Sequence, residues 1–347
     1  MRRGARSAAP AAGLAGALVA VSRAALAGVL PLWAACGNVN LDAGSDHPHG
    51  ALPVDERNPI ILNNDGARDN WQGEVALMLA GSGNLRLAGI VVDATAIYPS
   101  LADNVQAWRD MVAAARGSGM RNVPDPVASV APPLVRPSSG DIDATAPNHS
   151  DGALFIIATA ARLSQPLRPV VVATGAALTD LADAYLMDHR VADQVVVVSS
   201  LGQTTGTSIS AGWPNGDLDP WASEIVVSRY RYVQVNTYYA QRDDVPPARA
   251  AELPANPFGA WMSGKLADIL VLHEAADQGS VYATALPTFS LDVLTASAAG
   301  ATPPAGGQVP TLTAGPAGRV WAVTRGDNAA ATARFWQALQ DPKTFGR

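Results

Sequence analysis

The sequence predicts an α/β fold, a mostly parallel open sheet with helices on both faces. Three observations predict it. Pro169–Thr174 (P-V-V-V-A-T) and Gln194–Ser200 (Q-V-V-V-V-S-S) are short, valine-rich runs, as expected of parallel strands covered on both faces. Pro169–Thr174 passes through the turn at Gly175 into helical spacing, and Gln194–Ser200 into a turn at Leu201-Gly202. Strand and helix patterns then alternate along the chain with no internal repeat, which reads as one sheet with crossover helices.

The chain has 347 residues and a formal net charge of −6. That is enough for one large α/β domain after an N-terminal stretch that is not part of the fold. No Lys/Arg cluster with interleaved aromatics occurs, which excludes a nucleic-acid polymer as partner and favours a small molecule.

Residues 1–36 read as an export signal. Arg2, Arg3 and Arg6 precede an Ala/Leu/Val-rich run that ends in Leu-Trp-Ala-Ala-Cys36, giving the charged, apolar and small-residue regions in order. Cys36 is the only cysteine. Its setting resembles the lipobox of bacterial lipoproteins, with Trp33 where those proteins usually carry Leu. The resemblance implies lipidation at Cys36 and a membrane lipoprotein facing the periplasm or the exterior. Residues 37–58, rich in Gly, Asp, Pro and His, read as a flexible tether in which His47 and His49 are solvated. Residues 59–347 are then a single domain.

That domain is organised around Ile60–Glu74, I-I-L-N-N-D-G-A-R-D-N-W-Q-G-E. An apolar strand runs into Asn63, Asn64, Asp65, Asp69 and Asn70, and a helix follows. Open α/β sheets bind ligands at the carboxyl ends of their strands, and oxygen-bearing side chains are what a hard cation such as Ca²⁺ selects. A solvated Asn/Asp-rich turn is the plain alternative.

Further along, Leu87–Val92 predicts a second strand, ending at Asp93, and Leu101–Arg116 a helix. Val123–Val130 predicts a third strand. Ala131–Ser150, with four prolines, is a surface loop of the kind that covers a site. Asp151–Leu163 is a helix capped by Ser150. Asp219-Pro220 starts another, running to about Ser228. Tyr232–Val235 is a short strand, and Met262–Ala275, Leu291–Ala299 and Ala329–Leu339 are expected helices.

Several of these stretches together resemble the inosine-uridine-preferring nucleoside hydrolases, over roughly Pro59–Ala299. The family motif Asp-x-Asp-Pro-Gly-x-Asp-Asp is matched by Asn63-Asn64-Asp65-Gly66-Ala67-Arg68-Asp69-Asn70. Gly175–Ala182 resembles its Gly-Pro-Leu-Thr-Asn turn, and Trp213-Pro214-Asn215 through Asp219-Pro220 its Glu-Phe-Asn-x-x-x-Asp-Pro element. Leu291-Asp292 stands where the family has His-Asp. The resemblance implies N-glycosidic hydrolysis of a ribonucleoside by a Ca²⁺-bound water. Asp65 would be base and ligand. Asn70, the carbonyl of Thr174 and Asp292 would complete the metal site. Asp69, Asn215 and Asn104 would bind substrate.

The family's first and fourth aspartates are Asn63 and Asn70 here, its sugar-binding Glu is Trp213, and its late histidine is Leu291. The Asn70 change removes charge from the expected shell, and Asp93 is a candidate to restore it. These departures keep an alternative in play, a weakened or inactive nucleoside- or sugar-binding lipoprotein on the same fold. A phosphatase using an Asp-x-Asp nucleophile is set aside, because Asn63 cannot form an aspartyl phosphate. Oligomeric state is left open between monomer and homo-oligomer.

Overall fold

β1 (Pro59–Asn64) is an interior strand of the main sheet, buried along its whole length. In the computed structural model the described residues are 57–67, 72–199, 201, 203–205, 208–210, 214–235, 247–268, 289–298, 312–314, 320–326, 333, 336–341 and 344–345. The chain leaves β1 for α1 (Gln72–Gly81), β2 (Arg86–Val92), α2 (Leu101–Gly117) and β3 (Pro126–Ala128), then α3 (Asp151–Leu163). It returns to the other side of β1 with β4 (Val170–Thr174), α4 (Thr179–Met187), α5 (Val191–Gln194) and β5 (Val195–Ser199). After a small hairpin, β6 (Gln203–Thr205) and β7 (Ser208–Ser210), come α6 (Pro214–Leu218), α7 (Pro220–Arg229), β8 (Arg231–Val235) and α8 (Pro257–Asp268). Three later strands are β9 (Phe289–Ala298), β10 (Leu312–Ala314) and β11 (Val320–Gly326).

Among the described residues the main sheet has nine strands in the order β10-β9-β11-β8-β5-β4-β1-β2-β3. The seven from β11 to β3 are parallel. β9 and β10 extend the sheet beyond β11, each antiparallel to its neighbour. Alternating side chains of β1 enter two separate cores. Ile60 and Leu62 pack with α1, α2 and α8, whereas Ile61 packs with α3, α4 and α7. The expected doubly covered, mostly parallel sheet is therefore the fold.

The strand order reverses between β1 and β4, and such a switch point leaves a crevice beyond the carboxyl ends of the two strands. Gly175 N–H donates to Asn63 O at 3.0 Å and closes the first step of that crevice.

Three expectations need correction. The third strand is confined to Pro126–Ala128, because prolines at 124 and 126 withhold ladder donors at its start. The helix expected at Met262 begins at Pro257, where proline suits a first turn. Of Leu291–Ala299, expected as a helix, the described part, Leu291–Ala298, lies in strand β9. Phe289, Leu291 and Val293 alternate with Ser290 and Asp292, and that period of two decides for a strand. Among the described residues no helix is long and apolar enough to cross a membrane.

Candidate functional site

β1 delivers three polar residues, Asn63, Asn64 and Asp65, to the crevice, all buried. Asn64 Oδ1 accepts from Asp65 N at 2.8 Å, fixing the turn out of the strand. Asp65 Oδ1 accepts from Gly66 N and its Oδ2 from Thr95 Oγ1, each at 2.7 Å. The Asp65 carbonyl accepts from Trp108 Nε1 at 3.2 Å. Burial holds the Asp65 carboxyl above the usual range, and these hydrogen bonds pull the other way.

A second group of carboxylates lies beside it. Asn63 Nδ2 donates to Asp93 Oδ2 at 2.8 Å. Asp93 is within hydrogen-bond reach of Asp180, and burial followed by the Asp180 charge pushes its carboxyl well above the usual range. Asp93 Oδ1 and Asp180 Oδ2 have no N–H or O–H donor among the described residues, and a proton retained on Asp93 gives both a partner. Asp180 Oδ1 accepts from Ser129 Oγ and Ser150 Oγ, both at 2.7 Å. Asp183 receives Asn148 N at 2.7 Å and Ser150 N at 2.7 Å, and it fixes the entry to α3.

A cavity of about 560 Å³ opens beyond β2, β3 and β4. Its walls are apolar, including Ala94, Val130, Pro132, Pro133 and Leu218, and its polar groups are the hydroxyls of Thr95, Ser129 and Thr179. Each hydroxyl donates to a buried carboxylate behind the wall: Thr95 to Asp65, Ser129 to Asp180, and Thr179 to Asp219 at 2.9 Å.

The residues singled out in the sequence divide as follows. Asp65 and Thr174 are brought to the same end of the sheet, Thr174 standing beside Asn63 in register. Asn104 is buried, and its amide donates to Asp93 O at 2.8 Å and Tyr98 O at 2.9 Å; it braces the 93–98 turn. Asn215 is half-buried in α6, the helix that ends at the cavity residue Leu218. Asp292 is not brought to Asp65: four strands stand between β9 and β1, a separation of roughly 24 Å at ordinary strand spacing. Asp69, Asn70, Trp213, Cys36, the signal segment and the tether as far as residue 56 lie outside the described residues, whereas Asn58, expected in the tether, is buried and donates to Pro169 O at 2.7 Å.

Calcium takes roughly six to eight oxygen ligands. Among the described residues no three His, Cys, Asp or Glu side chains are grouped to hold a metal, and both oxygens of Asp65 already accept hydrogen bonds. The described donors do not amount to a calcium site.

Sequence reasoning gave no role to Thr95, Ser129, Asp180 or Gly152. Thr95 and Ser129 follow β2 and β3, so the rule that ligands sit beyond strand ends was the signal available.

No protein-family model matches the chain, and no curated protein matches it. Solved structures do. A purine-preferring ribonucleoside hydrolase from Gardnerella vaginalis superposes with a TM-score of 0.56 at 15% identity, covering 82% of this chain and 99% of that one. An inosine-guanosine nucleoside hydrolase gives 0.57 at 14% identity over 82% and 98%. The inosine-uridine preferring nucleoside hydrolase from Bacillus anthracis gives 0.54 at 15% over 83% and 99%. The chain has the nucleoside-hydrolase fold. Its crevice lies where the strand order reverses, with Asp65 buried just past the end of β1.

Proposed function

We propose that the protein hydrolyses the N-glycosidic bond of a ribonucleoside, with Asp65 as the base that takes a proton from the attacking water. The observation that carries this reading is the Asp65 carboxylate, buried at the switch point and joined through Thr95 to an apolar cavity. Burial makes a carboxylate a stronger base. Thr95 and Gly66 hold its two oxygens in place. Cleavage passes through an oxocarbenium-like state, which needs a water on one face of the sugar and a carboxylate to receive its proton. The apolar walls suit the flat face of a base. The solved nucleoside hydrolases that share the fold support the reading.

A hard cation such as Ca²⁺ is proposed beside Asp65, with Asn70 and the carbonyl of Thr174 as further ligands. Anchoring through a lipid at Cys36 is proposed as well, from the signal-like segment before it.

One observation favours a second reading, a nucleoside- or sugar-binding protein without turnover. Both Asp65 oxygens are already engaged by donors of the chain itself, which leaves the carboxylate less free to take a proton. Release of free ribose from inosine or uridine, measured with and without a chelator, separates the two. Ribose release supports the hydrolase. Thermal stabilisation by inosine with no ribose released supports the binder and overturns the hydrolase.

A further inference from the structure

Asp219 caps α7, and a cap needs only one of its oxygens. Oδ1 accepts from Ala222 N at 3.0 Å and does that work. Oδ2 faces away from the helix and accepts from two other parts of the chain, Leu134 N at 2.8 Å and Thr179 Oγ1 at 2.9 Å. Leu134 directly follows Pro132 and Pro133, which line the cavity and carry no N–H. The outer flank of this segment is unsupported: Val130 is 69% and Val135 82% exposed. The Leu134–Asp219 bond thus pins the proline wall from its inner side, and Asn148 Nδ2 pins Pro132 O at 2.6 Å. Thr179, the other partner of Oδ2, is a cavity hydroxyl whose proton is committed to Asp219.

We propose that Asp219 is a positioning residue that sets both the shape and the polarity of the cavity. It holds the 131–134 wall in place, and it orients Thr179 so that this hydroxyl presents only lone pairs to a ligand. The cavity then takes an uncharged ligand that offers a hydroxyl or amino hydrogen at Thr179. An anionic group there meets lone pairs backed by a carboxylate and is disfavoured. This inference rests on the nucleoside reading for its choice of probe.

Asp219→Asn tests it, because asparagine is as good an N-cap as aspartate. Its amide oxygen keeps the bond to Ala222, and its N–H group replaces Oδ2. That N–H opposes Leu134 N–H and turns the Thr179 hydroxyl from donor to acceptor toward residue 219, so that its own proton faces a ligand. Expected are exchange of the Leu134 amide hydrogen at least about tenfold faster and a KM for inosine about tenfold higher at nearly constant kcat. Thr179→Val, which leaves the Leu134 bond intact, should raise KM with Leu134 exchange unchanged, and Thr179→Ser should behave as the unsubstituted protein. Leu134 exchange unaltered in Asp219→Asn overturns the clasp. Faster exchange with the same KM, or a Thr179→Val protein with the same KM, overturns the role in ligand binding. If the unsubstituted protein releases no ribose from inosine, the nucleoside reading fails, and the Leu134 comparison still decides the clasp.

Discussion

Asn63 donates its side-chain amide to Asp93 at 2.8 Å and ties the end of β1 to the residue that follows β2. The carboxylate so held also meets Asp180, and all three residues are buried. The carboxylate beside Asn63 is therefore supplied from the end of the neighbouring strand, where it faces Asp180.

This pair sets a pH dependence. Burial and the Asp180 charge raise the Asp93 carboxyl in the folded state, whereas an unfolded aspartate titrates near about 3.9. The folded state thus retains a proton that the unfolded state has released, so stability falls as pH rises from about 4 through the raised folded value. An Asp93→Asn amide donates to Asp180 as the protonated acid does and cannot lose a proton. Thermal unfolding from about pH 5 to about pH 8 should show a decline in the unsubstituted protein and a shallower one in Asp93→Asn. Parallel slopes would show that Asp93 does not carry the effect.

Gly152 decides whether Asp180 fits. A Cβ at this position would lie 2.3 Å from Asp180 Oδ2 and 2.7 Å from Ser129 Oγ. Alanine in place of glycine within a helix ordinarily stabilises by about 1 kcal/mol. Here the sign should invert, with Gly152→Ala losing about 1–3 kcal/mol through the displaced carboxylate. Gly264→Ala in α8, where nothing lies within 4 Å, is the matched control and should be neutral or stabilising in urea unfolding. Equal gains in both variants would contradict the crowding at Asp180.

A buried ion pair lies beneath the β1–α1 turn. Lys265 Nζ is 2.7 Å from Glu74 Oε1, with both side chains essentially inaccessible to solvent, and Trp261 Nε1 donates to the same oxygen at 3.3 Å. Lys265 also donates to Ala67 O at 3.4 Å, so α8 is linked to the turn that follows Asp65. Lys265→Met should cost about 3–5 kcal/mol because it strands a buried carboxylate, while Lys265→Met with Glu74→Leu should recover most of that loss. A double mutant no more stable than the single one would show that the pair is not the coupled unit described here.

The fold was largely legible in the sequence because β1, β4 and β5 are buried on both faces and so spell continuous apolar runs. Ser150 and Asp219 were legible as caps because their bonds are local. Asp219 as a tie to Leu134, 85 positions away, was not. Nor was the Asp93–Asp180 pair, which depends on β2 and β4 lying on either side of β1. Asp292 was misplaced for a related reason. Once Leu291–Ala298 is a strand, its position follows the strand order, and that order is not written in any local pattern.

Asp65 carries the last prediction. Asp65→Asn keeps the side-chain volume, and its amide oxygen still accepts from Gly66 N–H while the amide hydrogen turns to Thr95. The buried charge that costs stability is removed, so unfolding temperature should hold or rise slightly. An amide cannot take a proton from water, so ribose release from inosine should fall by about 10²–10⁴-fold, the usual contribution of a general base. Thermal stabilisation by inosine should survive, because the cavity walls and the Thr179 hydroxyl are untouched. Loss of turnover with retained binding identifies Asp65 as the base. Unchanged ribose release in Asp65→Asn would move the base elsewhere, and Asp69, four positions on in the sequence, would be the next carboxylate to replace.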